Sequence, residues 1–371
     1  MNITIVAGAR PNFMKVAPII KAIERVNKSE KIISFRLIHT GQHYDSKMSG
    51  NFFEELGIPE PNANLEAGGG TQAEQTAAIM VRFEKELMEN RPQIVLVVGD
   101  VTSTMACSIT AKKLNIEVVH IEAGIRSGDL SMPEEINRMV TDSITDHFFT
   151  TSEHANENLL KNGVPQNRIH FVGNTMIDTL MANYDRLKNP NISVNGKALE
   201  AKGYFTLTLH RPSNVDQENQ FIEIMDAILD GTGDYPIVFP VHPRTAKLLE
   251  NLNIKDPRLC FVEPLSYLEF NFLVKNSKGV ITDSGGITEE TTVMGIPCLT
   301  LRNNTERPET ITVGTNELAG TDPDKIRAYL RQIVKGEWKE GSIPPLWDGK
   351  AADRIVASLL RIYVEKLSSV Y

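Results

Sequence analysis

The sequence predicts an α/β protein with two doubly wound, Rossmann-like domains facing each other across a cleft. Three observations carry this. Short β-branched apolar runs recur, each followed by a longer amphipathic segment, which makes right-handed βαβ units the default assembly. The runs are almost continuously apolar, as strands buried on both faces of a parallel sheet must be. The pattern then pauses once near the middle of the chain and restarts, and 371 residues suffice for two ordinary cores.

The first run, Ile3–Val6, leads into a helix over Pro11–Val26, where Met14, Ala17, Ile20 and Ile23 share one face. Ile33–Ile38, Ile94–Val98, Val118–Ile121, His147–Thr150 and Arg168–Val172 read as further strands. Helices are expected at Ala73–Glu89 and Thr102–Leu114. The pause is Leu187–Gly203, rich in Asn, Lys and Gly and poor in strand signal. Strands resume at Phe205–Leu209, Ile237–Pro240, Leu259–Val262, Gly279–Thr282 and Pro297–Leu301. The first domain is read as residues 1–175 and the second as 176–350. After the Pro/Gly-rich Ser342–Gly349, an amphipathic segment begins at Ala351, and residues 351–371 are expected to pack back on the first domain.

Composition excludes several classes. A formal net charge of −8 does not suit a nucleic-acid binder, which needs a basic surface to displace counterions. No apolar run approaches the roughly 18 residues that span a bilayer, and MNITIVAGARPNFMK lacks the features of a signal peptide. Cys107, Cys260 and Cys298 are isolated, so the expectation is a reduced, cytoplasmic protein without nucleic-acid or membrane partners. No metal site is expected, because His39, His43, His120, His147, His154 and His170 lack ligand spacing such as HExxH.

In open α/β sheets, ligands sit beyond the carboxyl ends of the strands. The first such loop is Gly8-Ala-Arg-Pro-Asn-Phe-Met-Lys15, where Arg10 and Lys15 flank a helix start whose amides favour anions. Asp100 ends VVGD and could equally cap the helix beginning near Thr102. Glu122 and Arg126 follow the strand in HIEAGIRSGD. Glu134 and Arg138 of MPEEINR lie four apart, the spacing of an ordinary surface ion pair. Three carboxylates converging near strand ends can divide acid and base roles if their environments separate their pKa values.

In the second half, His210 and Arg211 end a strand in TLHRPSN, and His242 does so in VHPR. In ITDSGGITEET, Ser284, Gly285 and Gly286 can present a hydroxyl and backbone amides to a phosphate. Glu289 and Glu290 are expected within about the first turn of the following helix, where acids suit the helix dipole. A carboxylate there can instead grip neighbouring ribose hydroxyls, as an acid does in dinucleotide sites.

Ten stretches in order, GARPNFMKVAP, TGQHYD, VVGDVTST, HIEAGIRSGD, MPEEINR, VGNTMID, TLHRPSN, VHPRT, TDSGGITEE and TERPET, resemble the non-hydrolysing UDP-N-acetylglucosamine 2-epimerase family along essentially the whole chain. The resemblance implies a GT-B type fold and reversible conversion of UDP-GlcNAc to UDP-ManNAc without a nicotinamide or metal cofactor, supplying ManNAc-type sugars for surface polysaccharide. It implies acid/base roles for Asp100, Glu122 and Glu134, and diphosphate binding or stabilisation by Arg10, Lys15, Arg138 and His210. Ser284, Gly285, Gly286 and Glu290 match the UDP site; Phe270 is placed at the uracil, and His242 among the substrate-binding groups. In some members a second UDP-GlcNAc activates the enzyme through residues like Gln42, His43 and Arg211, although Ala78 stands where those carry an arginine. A homodimer through the first domain is implied as well. The alternatives are a modified UDP-GlcNAc (a 3-acetamido or uronic variant) as substrate, a GT-B glycosyltransferase, or a non-catalytic nucleotide-sugar sensor.

Overall fold

The computed structural model describes residues 1–41, 53, 55–211, 214, 217–241, 249 and 256–369. The chain forms two compact units, Met1–Ala182 with Pro345–Tyr371, and Asn183–Pro344. The first unit carries strands β1 (Asn2–Ala7), β2 (Ser34–His39), β3 (Ala63–Asn64), β4 (Ile94–Val98), β5 (Glu117–Ile121), β6 (His147–Thr150) and β7 (Ile169–Phe171). They pair in parallel in the order β3-β2-β1-β4-β5-β6-β7. Every residue of β4, IVLVV, is buried, as a central strand covered on both faces requires.

Helices α1 (Arg10–Val26), α2 (Gln72–Glu89), α3 (Thr102–Lys113), α4 (Pro133–Ile144), α5 (Glu153–Lys161) and α6 (Thr175–Asn183) alternate with these strands. The start of α1 has no capping side chain at Ala9. Asn12 compensates: its Oδ1 accepts from the amides of Gly8 (3.1 Å) and Ala9 (2.9 Å), and its Nδ2 donates to the Val98 carbonyl (3.1 Å). One buried side chain therefore ties the loop after β1 to the end of β4, where the strand order reverses and an open α/β sheet leaves its crevice.

The second unit opens with a two-stranded hairpin, β8 (Ser193–Val194) and β9 (Lys197–Ala198). Its sheet comprises β10 (Phe205–Thr208), β11 (Ile237–Pro240), β12 (Leu259–Val262), β13 (Gly279–Thr282), β14 (Cys298–Thr300) and β15 (Asn316–Leu318), in the parallel order β12-β11-β10-β13-β14-β15. Helices α7 (Glu218–Gly231), α8 (Tyr267–Asn276), α9 (Gly285–Met294), α10 (Glu309–Thr312) and α11 (Pro323–Lys335) accompany it. The order again reverses between the first strand of the sheet in sequence, β10, and β13.

Helix α12 (Ala351–Ser369) belongs to the first unit. Asp178 on α6 accepts the amides of Ala351 (3.0 Å) and Ala352 (2.7 Å), so a distant side chain caps this helix. Burial pushes the Asp178 carboxyl up to about 6 despite those two bonds. The indole of Trp347, 1% exposed, donates to the Thr151 carbonyl at 3.0 Å.

The hairpin at β8–β9 lies inside the stretch expected to lack strands. Asn195 and Gly196 have φ of 50° and 76°, the left-handed pair that a two-residue type I′ turn demands, and Asn-Gly is its strongest sequence signal. Strands β3 and β15, of two and three residues, are too short to show a period.

Candidate functional site

Two clusters of polar side chains stand at the points where the strand orders reverse. In the first unit, Lys15 on α1 and Glu122 at the end of β5 form an ion pair at 2.6 Å, with side chains 12% and 2% exposed. Glu122 has φ of 68°, a conformation that costs free energy for a residue of its size. Asp100, just past β4, pairs with Arg138 on α4, and its carbonyl accepts from Asn137 at 2.9 Å. A Cβ added at Gly99 would lie 3.3 Å from the Lys15 Nζ and 3.7 Å from the Glu122 Oε2, so the Lys15–Glu122 pair borders the residue before Asp100. Arg10, the exposed first residue of α1, belongs to the same loop.

Two sequence expectations change here. Asp100 does not cap α3: the cap position is Val101, without a side-chain bond, and the Asp100 carboxylate meets Arg138 instead. The helical partner of Arg138 is Glu135 at 2.7 Å, one turn back at i,i+3, rather than the i,i+4 Glu134. Glu135 is 2% exposed and also accepts from Ser127 and Gly128. Burial alone would raise its carboxyl, but those amides and Arg138 hold it below the usual carboxylate range. Glu134 stands beside it in the first turn of α4, partly exposed.

In the second unit the organising group is Asp283, wholly buried at the end of β13. Its Oδ2 accepts from the amides of His210 and Arg211, both at 2.9 Å, and from Asn214 at 3.1 Å. The His210 Nδ1 lies 2.8 Å from Oδ1, which fixes an imidazole whose side chain is 53% exposed. Burial opposes ionisation of Asp283, yet His210 and the two amides keep its carboxyl low.

Ser284 then caps α9 in position but without a side-chain bond. Gly285 and Gly286, both partly exposed, form the first turn of α9, where backbone amides lack helical partners and an anion can be bound. A Cβ on Gly286 would meet nothing within 4 Å.

Because α9 begins at Gly285, Glu289 and Glu290 fall in its second turn, and no acid occupies the first. Their partners replace the helix dipole as the explanation for them. Glu289 pairs with Arg307. Glu290, 4% exposed, accepts at Oε1 from Tyr267 (2.9 Å) and Asn271 (3.3 Å) of α8. Phe270 of the same helix packs with Ile287 of α9 against Val274 and Val280. Arg211 is partly buried, with Nε donating to the Asp283 carbonyl at 3.0 Å. Gln42, His43 and His242 lie outside the described residues. Among the described residues, no group of three or more His, Cys, Asp or Glu side chains could hold a metal ion, and no helix is long and apolar enough to cross a membrane.

The sequence reading missed Asp283, Glu135, Tyr267 and Asn271. Asp283 had a usable signal, since it directly follows an apolar strand in the manner of Asp100. The others act from positions that only packing reveals.

Two parallel sheets of this order, each with polar loops at its reversal, define an α/β enzyme of GT-B-like fold. A family profile for UDP-N-acetylglucosamine 2-epimerase matches residues 25–360, and the chain belongs to that family of isomerases, in its non-hydrolysing branch. It is 41% identical to the UDP-N-acetylglucosamine 2-epimerase of Methanocaldococcus jannaschii, over 97% of this chain and 99% of the relative. It is 38% identical to the UDP-2,3-diacetamido-2,3-dideoxy-D-glucuronate 2-epimerase of Pseudomonas aeruginosa, over 98% and 100% of the two chains. The crystal structure of the M. jannaschii UDP-GlcNAc 2-epimerase in complex with UDP-GlcNAc and UDP superposes with a TM-score of 0.85, at 40% identity and over 97% and 100% of the chains.

Proposed function

We propose that the chain interconverts UDP-GlcNAc and UDP-ManNAc. The observation that carries the reading is the pairing of acids with cations at the first reversal point, Lys15 with Glu122 and Arg138 with Asp100, with Glu134 nearby on α4. The C2–H of the sugar has no adjacent carbonyl to acidify it, so direct deprotonation is prohibitively slow. Breaking the C1–O bond, with UDP taking the electron pair, leaves C1 electron-poor. A carboxylate then removes the C2 proton, and the C–H electrons form the C1=C2 bond of a 2-acetamidoglucal. Protonation of C2 from the opposite face and return of the UDP oxygen to C1 complete the inversion.

In this reading Asp100, Glu122 and Glu134 hold and return protons. Arg10, Lys15, Arg138 and His210 offset charge on the departing diphosphate. Ser284, Gly285 and Gly286 bind the diphosphate, and Glu290 binds the ribose. The test is proton NMR of UDP-GlcNAc with the protein in heavy water and no acceptor. Deuterium at C2 and appearance of the manno isomer are expected; a C2 hydrogen that stays unexchanged refutes the reaction.

A second reading concerns the substrate alone. The 38% identity to an epimerase of a 2,3-diacetamido uronate sugar nucleotide supports a substrate with further substituents. A panel of UDP-sugars in the same NMR assay decides, by which compound gives the higher kcat/KM.

A further inference from the structure

The geometry points to His120 as a positioning residue: its imidazole, clamped between Asp142 on α4 and the Gly99 carbonyl past β4, sets where the Asp100 and Glu122 carboxylates stand. This rests on the reaction proposed above. His120 is wholly buried on β5, two residues before Glu122. Its Nδ1 lies 2.7 Å from the Asp142 Oδ1, and its Nε2 lies 2.8 Å from the Gly99 oxygen. A carbonyl can only accept. The second oxygen of Asp142 already accepts from Arg126 (2.7 Å) and the Gly124 amide (3.1 Å), which is the pattern of an ionised carboxylate. The two ring nitrogens thus bridge Asp142 and the Gly99 carbonyl from opposite ends of one rigid ring, a span that no other side chain of that size offers.

The backbone around the acids shows what the clamp does. The amide of Gly99 donates to the Ile121 carbonyl at 3.0 Å, and its carbonyl is taken by His120. Both peptide planes flanking Gly99 are thereby held from β5, at a residue with φ of 70°. On the other side, Asp142 holds the amide of Gly124 and the guanidinium of Arg126, two and four residues beyond Glu122. One imidazole–carboxylate pair thus fixes the chain just before Asp100 and just after Glu122, the latter itself at φ of 68°. Proton transfer to and from a single carbon needs both carboxylates held closely, and a misplacement of about 1 Å costs on the order of 100-fold in rate.

The test uses the full chain carrying His120→Asn, His120→Gln or Asp142→Asn; the last is isosteric and least prone to misfold. For the folded fraction of each variant, kcat for C2 epimerisation is expected to fall about 100-fold, with UDP affinity held within about 3-fold of the parent. The groups assigned to hold the ribose and phosphates of bound UDP, Glu290, Ser284, Gly285 and Gly286, lie in the other unit, and the cations of the first unit act on the diphosphate as it departs. A side chain that only fills the core would lower the melting temperature and leave kcat of the folded fraction intact, and that result overturns the proposal. If the parent itself exchanges no C2 hydrogen, the reaction reading fails separately. Amide hydrogen exchange then decides the clamp: protection at Gly99 and Gly124 must drop in Asp142→Asn while that of the second unit is retained, and unchanged protection overturns it.

Discussion

Replacing Glu290 by Gln separates ribose recognition from mere helix packing. Burial raises the Glu290 carboxyl from its ordinary 4.5 to about 7, the bonds from Tyr267 and Asn271 oppose this, and the charge of Glu289 adds to it. Because the folded value lies above the unfolded one, the associated stability is fully present below pH 4.5 and is lost as pH rises through about 7. A rise of that size corresponds to about 3 kcal/mol. A pair of ribose hydroxyls selects the ionised form, which accepts at both oxygens. UDP binding should therefore tighten up to about 10-fold per pH unit below 7 and level off above it. Glu290→Gln should be more stable than the parent at pH 8. It should bind UDP about 10- to 100-fold more weakly there, the value of a charge-assisted hydrogen bond, and show a flattened pH profile. Calorimetric titration from pH 5.5 to 8.5 is the assay, with uridine run in parallel to remove the titration of the diphosphate itself. Parallel profiles for parent and variant would refute the ribose role.

Three further outcomes are expected. Asp100→Asn, Glu122→Gln and Glu134→Gln should each lower kcat about 100- to 10,000-fold with little change in UDP affinity; steady-state kinetics with UDP titration checks this, and near-normal turnover in all three would remove the mechanism. Glu122→Gln should also lower stability, because it leaves the partly buried Lys15 ammonium without its charged partner, and denaturant unfolding measures that loss. Gly286→Val should weaken UDP binding at least about 10-fold with the melting temperature nearly unchanged, since its Cβ meets no protein atom within 4 Å. Asp178→Ala should destabilise the protein by about 1 to 2 kcal/mol at pH 8 through loss of the α12 cap, read as a lower urea midpoint.

The inner strands were legible because burial on both faces leaves them mostly apolar. β4, β6, β11 and β13 fall on the residues the apolar runs mark, and so does the partly buried edge strand β12. Edge strands β3 and β15 pair along one side and are too short to leave a pattern. The candidate residues were visible as polar loops directly after those runs, which is where open α/β sheets place ligands. Which of two adjacent acids faces inward was not visible. Glu134 and Glu135 differ by one step of helical phase, and only the position of the Ser127–Gly128 loop makes Glu135 the partner of Arg138. Periodicity was equally silent on the start of α9, since Ser284-Gly285-Gly286 suits a loop as well as a first turn. That one-turn difference moved Glu289 and Glu290 from the helix dipole to partners on other segments.

The return of α12 to the first unit has a consequence for the making of the protein. The second unit is a contiguous stretch, whereas the first needs Trp347 and α12 to close over Thr151 and Asp178. The first unit therefore cannot complete its core until the stretch that follows the second unit has been made, whereas the second unit needs no later segment. A chain stopped or clipped before Trp347 would carry a finished second unit tethered to a chaperone client. Helix α12 is thus the piece whose docking completes a unit otherwise built from residues far earlier in sequence.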